Sequence, residues 1–150
     1  MSTNNNPVIK HRKASFEFDL QDRYVAGIVL AGTEIKSIRE GRANLKDSYC
    51  YFHGEELYVK NMHITEYTHG NIYNHEPKRD RKLLLKKQEL KKLNDKVKTK
   101  GFTIIPTKLF IGNSGYAKLE IALAKGKQVH DKRKALKEKE LKKDIKDAGF

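Results

Sequence analysis

The 150 residues include no tryptophan, one cysteine, three prolines and two methionines. A lone cysteine, Cys50, excludes an internal disulfide and a multi-cysteine zinc site in one chain, and a reducing compartment is the simple expectation. Long apolar runs are also missing. The longest, Tyr24 to Ala31, is far too short to span a bilayer, and the polar, Asn-rich start from Met1 to Pro7 has no signal-like apolar region. The expectation is a soluble chain that is not secreted. Phosphate-loop, HExxH, GxSxG and CxxC patterns are absent, so common hydrolase, zincin and redox chemistries have no foothold. His53, His63, His69 and His75 lack metal-ligand spacing. No catalytic residue, cofactor or metal is assigned, and the chain is not expected to be an enzyme.

What is present is charge. Charged residues make up 34% of the chain and its formal net charge is +13. Mean hydropathy is −0.78, which limits the core to a modest size. Residues 1–75 carry 9 cations against 9 acids and are neutral, whereas residues 76–100 carry 11 against 4 and residues 125–150 carry 10 against 5. A charge serving solubility would be spread over the surface, so this segregation points to two separate basic surfaces and a polyanionic partner. Lysine-rich helices that are merely solvated give the same count.

Ala14 to Leu20 alternates apolar and acidic residues and predicts a strand; Tyr24 to Leu30 predicts a second. Thr33 is placed to cap a short helix over 34–39, with Gly41 to stop it. Residues 48–52 and 57–59 flank a Gly54 turn and predict a hairpin. A long helix is expected from about Arg79 to Lys100, ended by Gly101, with Leu83, Leu90, Leu93 and Val97 on one stripe. Leu84 and Leu85 fall off that stripe, so the helix either bends there or shows leucine to something other than the core, a second contact with the body included. Strands return over 102–105, 108–111 and 116–124, with a turn at 112–115. About six short strands and two helices predict an α+β fold that is mainly β. Its leading form is a small antiparallel Greek-key barrel of the oligonucleotide-binding type.

Three regions follow: a flexible basic arm over 1–13, an RNA-binding barrel over 14–124, and a basic tail over 125–150. The tail has high helical preference and little to bury, so it is expected to be disordered when free and helical against an anionic partner. Two clusters could meet RNA. Around the short helix, Glu34 could accept bonds from an unstacked base edge while Lys36, Arg39 and Arg42 hold phosphates, or the same residues form ion pairs on a solvated helix. In the tail, His130 could stack on a base and Arg133 fork onto phosphate. A membrane surface would call for interleaved anchors, and Phe150 alone could serve.

The segments Ala26 to Leu30 running into Gly32-Thr33-Glu34-Ile35-Lys36-Ser37, then Ala43 to Tyr49, Arg81-Lys82-Leu83-Leu84-Leu85, and Ala124-Lys125-Gly126-Lys127 with Asp131-Lys132-Arg133 stand in a family order and spacing. In them the chain resembles small protein B, the SsrA-binding protein family of bacterial trans-translation, over nearly its whole length. The resemblance implies a non-enzymatic, cytoplasmic, monomeric adaptor. It would grip the tRNA-like domain of transfer-messenger RNA in place of an anticodon arm and enter stalled ribosomes with elongation factor Tu. Its tail would occupy the empty messenger channel at the decoding centre, so that the nascent chain is tagged. Carried across, Glu34, Leu84 and Lys118 match residues that meet the tRNA-like domain; His11, Arg12, Lys13, Lys36, Ser37 and Arg39 are further candidates for the same RNA-binding surface. His130, Asp131, Lys132 and Arg133 match the tail residues that resemble decoding-centre contacts, with Gly126 and Lys127 as the hinge leading in.

The chain departs from the family pattern at His11, where an asparagine is usual, and at Lys86 and Gln128. Modest differences in affinity are expected. Two other classes account for some of the same features: a structural ribosomal protein, and an RNA-modifying enzyme, for which no motif is found.

Overall fold

The computed structural model describes residues 7–69 and 74–126. Among them the order is β1 (Ile9–Lys10), α1 (Ala14–Glu17), β2 (Phe18–Ile28), α2 (Gly32–Arg39), β3 (Ala43–Asn44), β4 (Tyr49–His53), β5 (Glu56–Lys60), β6 (His63–Ile64), β7 (Arg81–Leu84), α3 (Lys87–Lys100), β8 (Thr103–Ile111) and β9 (Ala117–Gly126). The fold is mainly β with some helices. Strands pair antiparallel in the order β1-β8-β4-β5-β7-β2-β9, and β9 also pairs β8 over Thr103–Ile111, which returns the order of pairing to β8. β3 and β6 form a separate short ladder.

Alternation decides which side chains form the core. Ala26 and Ile28 of β2, Leu57 and Val59 of β5, Leu83 of β7 and Leu119, Ile121 and Leu123 of β9 are buried in one cluster. Their sequence neighbours in β2, β5 and β7 face out, whereas in β9 Ala122 and Ala124 are buried as well. The hairpin at Gly54 is as expected: His53 pairs Glu56, and Gly54 takes the positive φ of 65° that glycine adopts without steric cost.

Four expectations are corrected. Ala14 to Leu20 is not one strand: Ala14–Glu17 is a single helical turn, because Ala14 packs with Ile105 and Ala124 while Phe16 stays exposed. β2 then runs unbroken from Phe18 to Ile28, with a register shift between Leu20 and Arg23 that absorbs the break expected there. The long helix begins at Lys87, not Arg79, since Arg81, Lys82 and Leu83 pair β5 at Val59, Tyr58 and Leu57 while Leu83 and Leu84 pair β2 at Ile28 and Gly27. Leu90, Leu93 and Val97 keep their helical stripe against the core, and Gly101 (φ 68°) stops the helix in the left-handed region. Finally, Thr33 does not cap α2. The N-cap is Ala31, whose N–H donates to Glu34 Oε1 at 2.8 Å, and Thr33 Oγ1 instead bonds His75 Nδ1 at 2.9 Å.

Candidate nucleic-acid interface

A period of two puts Leu84 outside. In β7, Arg81 and Leu83 point inward, so Lys82 and Leu84 face solvent, and Leu84 is 52% exposed. Its cross-strand partner is Gly27, and the partner of Gly27 on the other side is Lys118, itself opposite Phe110. Side chains in register share a face. Phe110, Lys118, Gly27 and Leu84 therefore form one row across β8, β9, β2 and β7. Val25 in β2 and Val29 just past its end flank Gly27, with about half of each exposed. The row is an apolar strip with one ammonium, that of Lys118, set between Phe110 and Gly27. Such a strip can lie against sugars and base faces while the cation meets a phosphate.

Beside it, β7 and the start of α3 enclose a groove. Phe52, Leu83, Leu85 and Leu90 line its apolar part, and Lys82, Lys87 and Lys91 bring cations. Lys82 donates to Glu56 Oε2 at 2.6 Å.

The α2 cluster is arranged differently from the base-edge reading. Glu34 has no exposed surface. Its carboxylate accepts from Arg79 Nε at 3.1 Å and Nη2 at 2.6 Å, from Arg81 Nε at 2.5 Å, and from the Ala31 N–H. Burial pushes its pKa up, but the bonds from Arg79, from Ala31 and from Arg81 outweigh that and hold it below the ordinary value. Arg81 is equally buried and also donates to the carbonyls of Met62, Glu76 and Pro77. Ser37 is buried and donates to the Thr65 carbonyl at 2.7 Å. Glu34 and Ser37, expected to face RNA, thus offer no surface to it in this structure. Lys36 and Arg39 do. Lys36 Nζ lies 5.5 Å from the Tyr67 ring centre, and Arg39 reaches toward Gly115 in the turn between β8 and β9.

The basic arm is tied down from Ile9 onward. Ile9 and Lys10 pair Leu109 and Lys108, the His11 N–H donates to Thr107 O, and His11 Nδ1 bonds Pro106 O at 2.9 Å. Arg12 and Lys13 remain exposed and line a cleft with Lys10 and Lys46. Gly126 ends β9 opposite Phe18. Lys127, His130, Asp131, Lys132 and Arg133 lie outside the described residues. Among the described residues no group of three potential metal ligands comes together, and no helix is long and apolar enough to cross a membrane.

Two residues of this region were not singled out from the sequence. Gly27 left a trace, a glycine inside an apolar strand pattern, which marks a close approach or a bare surface. Arg79 left none beyond its charge.

Residues 8–149 match the family model described as SmpB protein. The chain is 57% identical to the SsrA-binding protein of Phocaeicola vulgatus and 56% identical to that of Bacteroides thetaiotaomicron. Each alignment covers 137 residues and 91% of both chains. The fold also matches, at 41% identity and TM-score 0.71, a chain of the solved structure "tmRNA-SmpB: a journey to the center of the bacterial ribosome". That match covers 87% of this chain and 94% of the other.

Proposed function

The chain belongs to the SmpB protein family, and from that premise we propose that it is a tmRNA-binding adaptor of trans-translation, acting in ribosome rescue. The family match over residues 8–149 carries this reading. Its relatives are named for binding SsrA, and its structural neighbour was solved in a tmRNA–ribosome setting.

The row Leu84–Gly27–Lys118 is the surface that meets the tRNA-like domain, and the exposed cations Lys36 and Arg39 of α2 add phosphate contacts. Arg12 and Lys13, with His11 as their anchor, hold a second stretch of phosphate. The scaffold is an oligonucleotide-binding type of closed Greek-key barrel, and it makes and breaks no bond. The tail from Gly126, with Lys127, His130, Asp131, Lys132 and Arg133, serves the decoding centre and the messenger channel. Elongation factor Tu takes part in delivery, and the protein works as a monomer in the cytoplasm.

The test is binding of the full chain to a labelled tRNA-like domain of tmRNA beside a plain duplex of equal length, both across a salt series. A marked preference for the tRNA-like domain is expected. Equal binding would leave a general basic RNA binder.

A further inference from the structure

Glu34 is the one acidic residue among the family-matched contacts on the body of the protein, and it is sealed from solvent. Its surroundings say how it acts. The carboxylate carries one negative charge against two guanidinium groups, so the triad Glu34, Arg79 and Arg81 has a net positive charge. Arg81 has no exposed surface, whereas the Arg79 side chain is 36% exposed. The excess charge therefore emerges at Arg79.

We infer that Arg79 is a phosphate-binding residue of the RNA interface and that Glu34 is its positioning residue. The inference rests on the RNA-binding reading above. Of the five guanidinium N–H groups, Nε–H and one Nη2–H go to Glu34, the other Nη2–H to Val29 O at 3.3 Å, and one Nη1–H to Asp80 O at 3.4 Å. One Nη1–H remains for an anion. The bond to Val29 O fixes the guanidinium at the end of β2, beside exposed Val29 and two residues from Gly27. Asp80 is itself held, accepting from the Tyr51 hydroxyl at 2.7 Å. A forked guanidinium clamped at two edges meets a phosphate with little further loss of freedom.

The experiment measures binding of full-length variants to the tRNA-like domain over a salt series, with thermal melts alongside. Arg79→Met is expected to flatten the log K against log[salt] slope by about 0.7 to 0.9, the value of one lost phosphate contact. Arg79→Lys should restore the slope but not the full affinity, because an ammonium cannot hold the fork. Glu34→Gln should weaken binding without flattening the slope, since no cation is lost. An unchanged slope in Arg79→Met, beside wild-type protein that does prefer the tRNA-like domain, overturns the inference alone. If wild-type protein shows no such preference, both this inference and the functional reading fail. Arginine-directed chemical labelling of wild-type protein gives a check independent of folding: bound RNA should protect Arg79, and equal labelling with and without RNA counts against it.

Discussion

Leu84 and Lys118 stand on either side of Gly27, each its partner in register, so a leucine and an ammonium lie on one outer face with no side chain between them. The glycine keeps that space open. A Cβ built on Gly27 would lie 3.4 Å from Leu84 Cβ and 3.7 Å from its Cδ1, which is contact without overlap. Gly27→Ala should therefore fold. Removing a glycine from a strand interior is expected to raise stability by up to about 0.5 to 1 kcal/mol, while affinity for the tRNA-like domain falls severalfold. Melting and binding measured on one preparation check the two opposite signs.

Leu84 contributes exposed area and little to the core. Leu84→Ser is expected to change stability by no more than about 0.5 kcal/mol. A drop in RNA affinity of about tenfold, or about 1.4 kcal/mol, should accompany it. Lys118→Gln should instead show itself in the salt slope, reduced by about 0.7 to 0.9.

Glu34 holds the protein together as well as serving Arg79. Removing one member of a buried ion pair typically costs about 3 to 5 kcal/mol, so Glu34→Ala is expected to lower the melting temperature by many degrees. The pH dependence has a definite sign. The folded pKa of Glu34 lies below its ordinary value of 4.5, so its stabilisation is complete above that value and is lost as pH falls through the lower folded one. Denaturant melts from pH 7 to pH 3 should show this acid loss in wild-type protein and less of it in Glu34→Gln.

Cys50 is buried, and burial pushes its thiol pKa up. A thiol kept neutral is a poor nucleophile. Alkylating reagents should leave the native protein unlabelled at neutral pH and modify it fully in denaturant. Fast labelling under native conditions would mean that β4 opens readily.

Much of this was legible in the residues. The Gly54 hairpin, the Leu90, Leu93 and Val97 stripe and the alternation of Leu119, Ile121 and Leu123 follow from periodicity, which acts over a few residues. Leu84 stood out because it fits no helical stripe, although its true setting is a strand. What misled the reading is long-range. Arg81–Leu84 has the composition of a helix start, and only its pairing with β5 and β2 makes it extended. The burial of Glu34 depends on arginines 45 and 47 residues away. No local pattern encodes such a contact, so its charge was read as a surface feature. Ala14 likewise becomes helical because of what β8 and β9 place beneath it.

The most direct measurement compares the full chain with the double variant Leu84→Ser/Lys118→Gln, each titrated against the labelled tRNA-like domain and against an equal-length duplex. The expected result is that the double variant melts like wild type, still binds the duplex weakly, and loses its preference for the tRNA-like domain. An undiminished preference in a folded double variant would contradict the assignment of recognition to the Leu84–Gly27–Lys118 row.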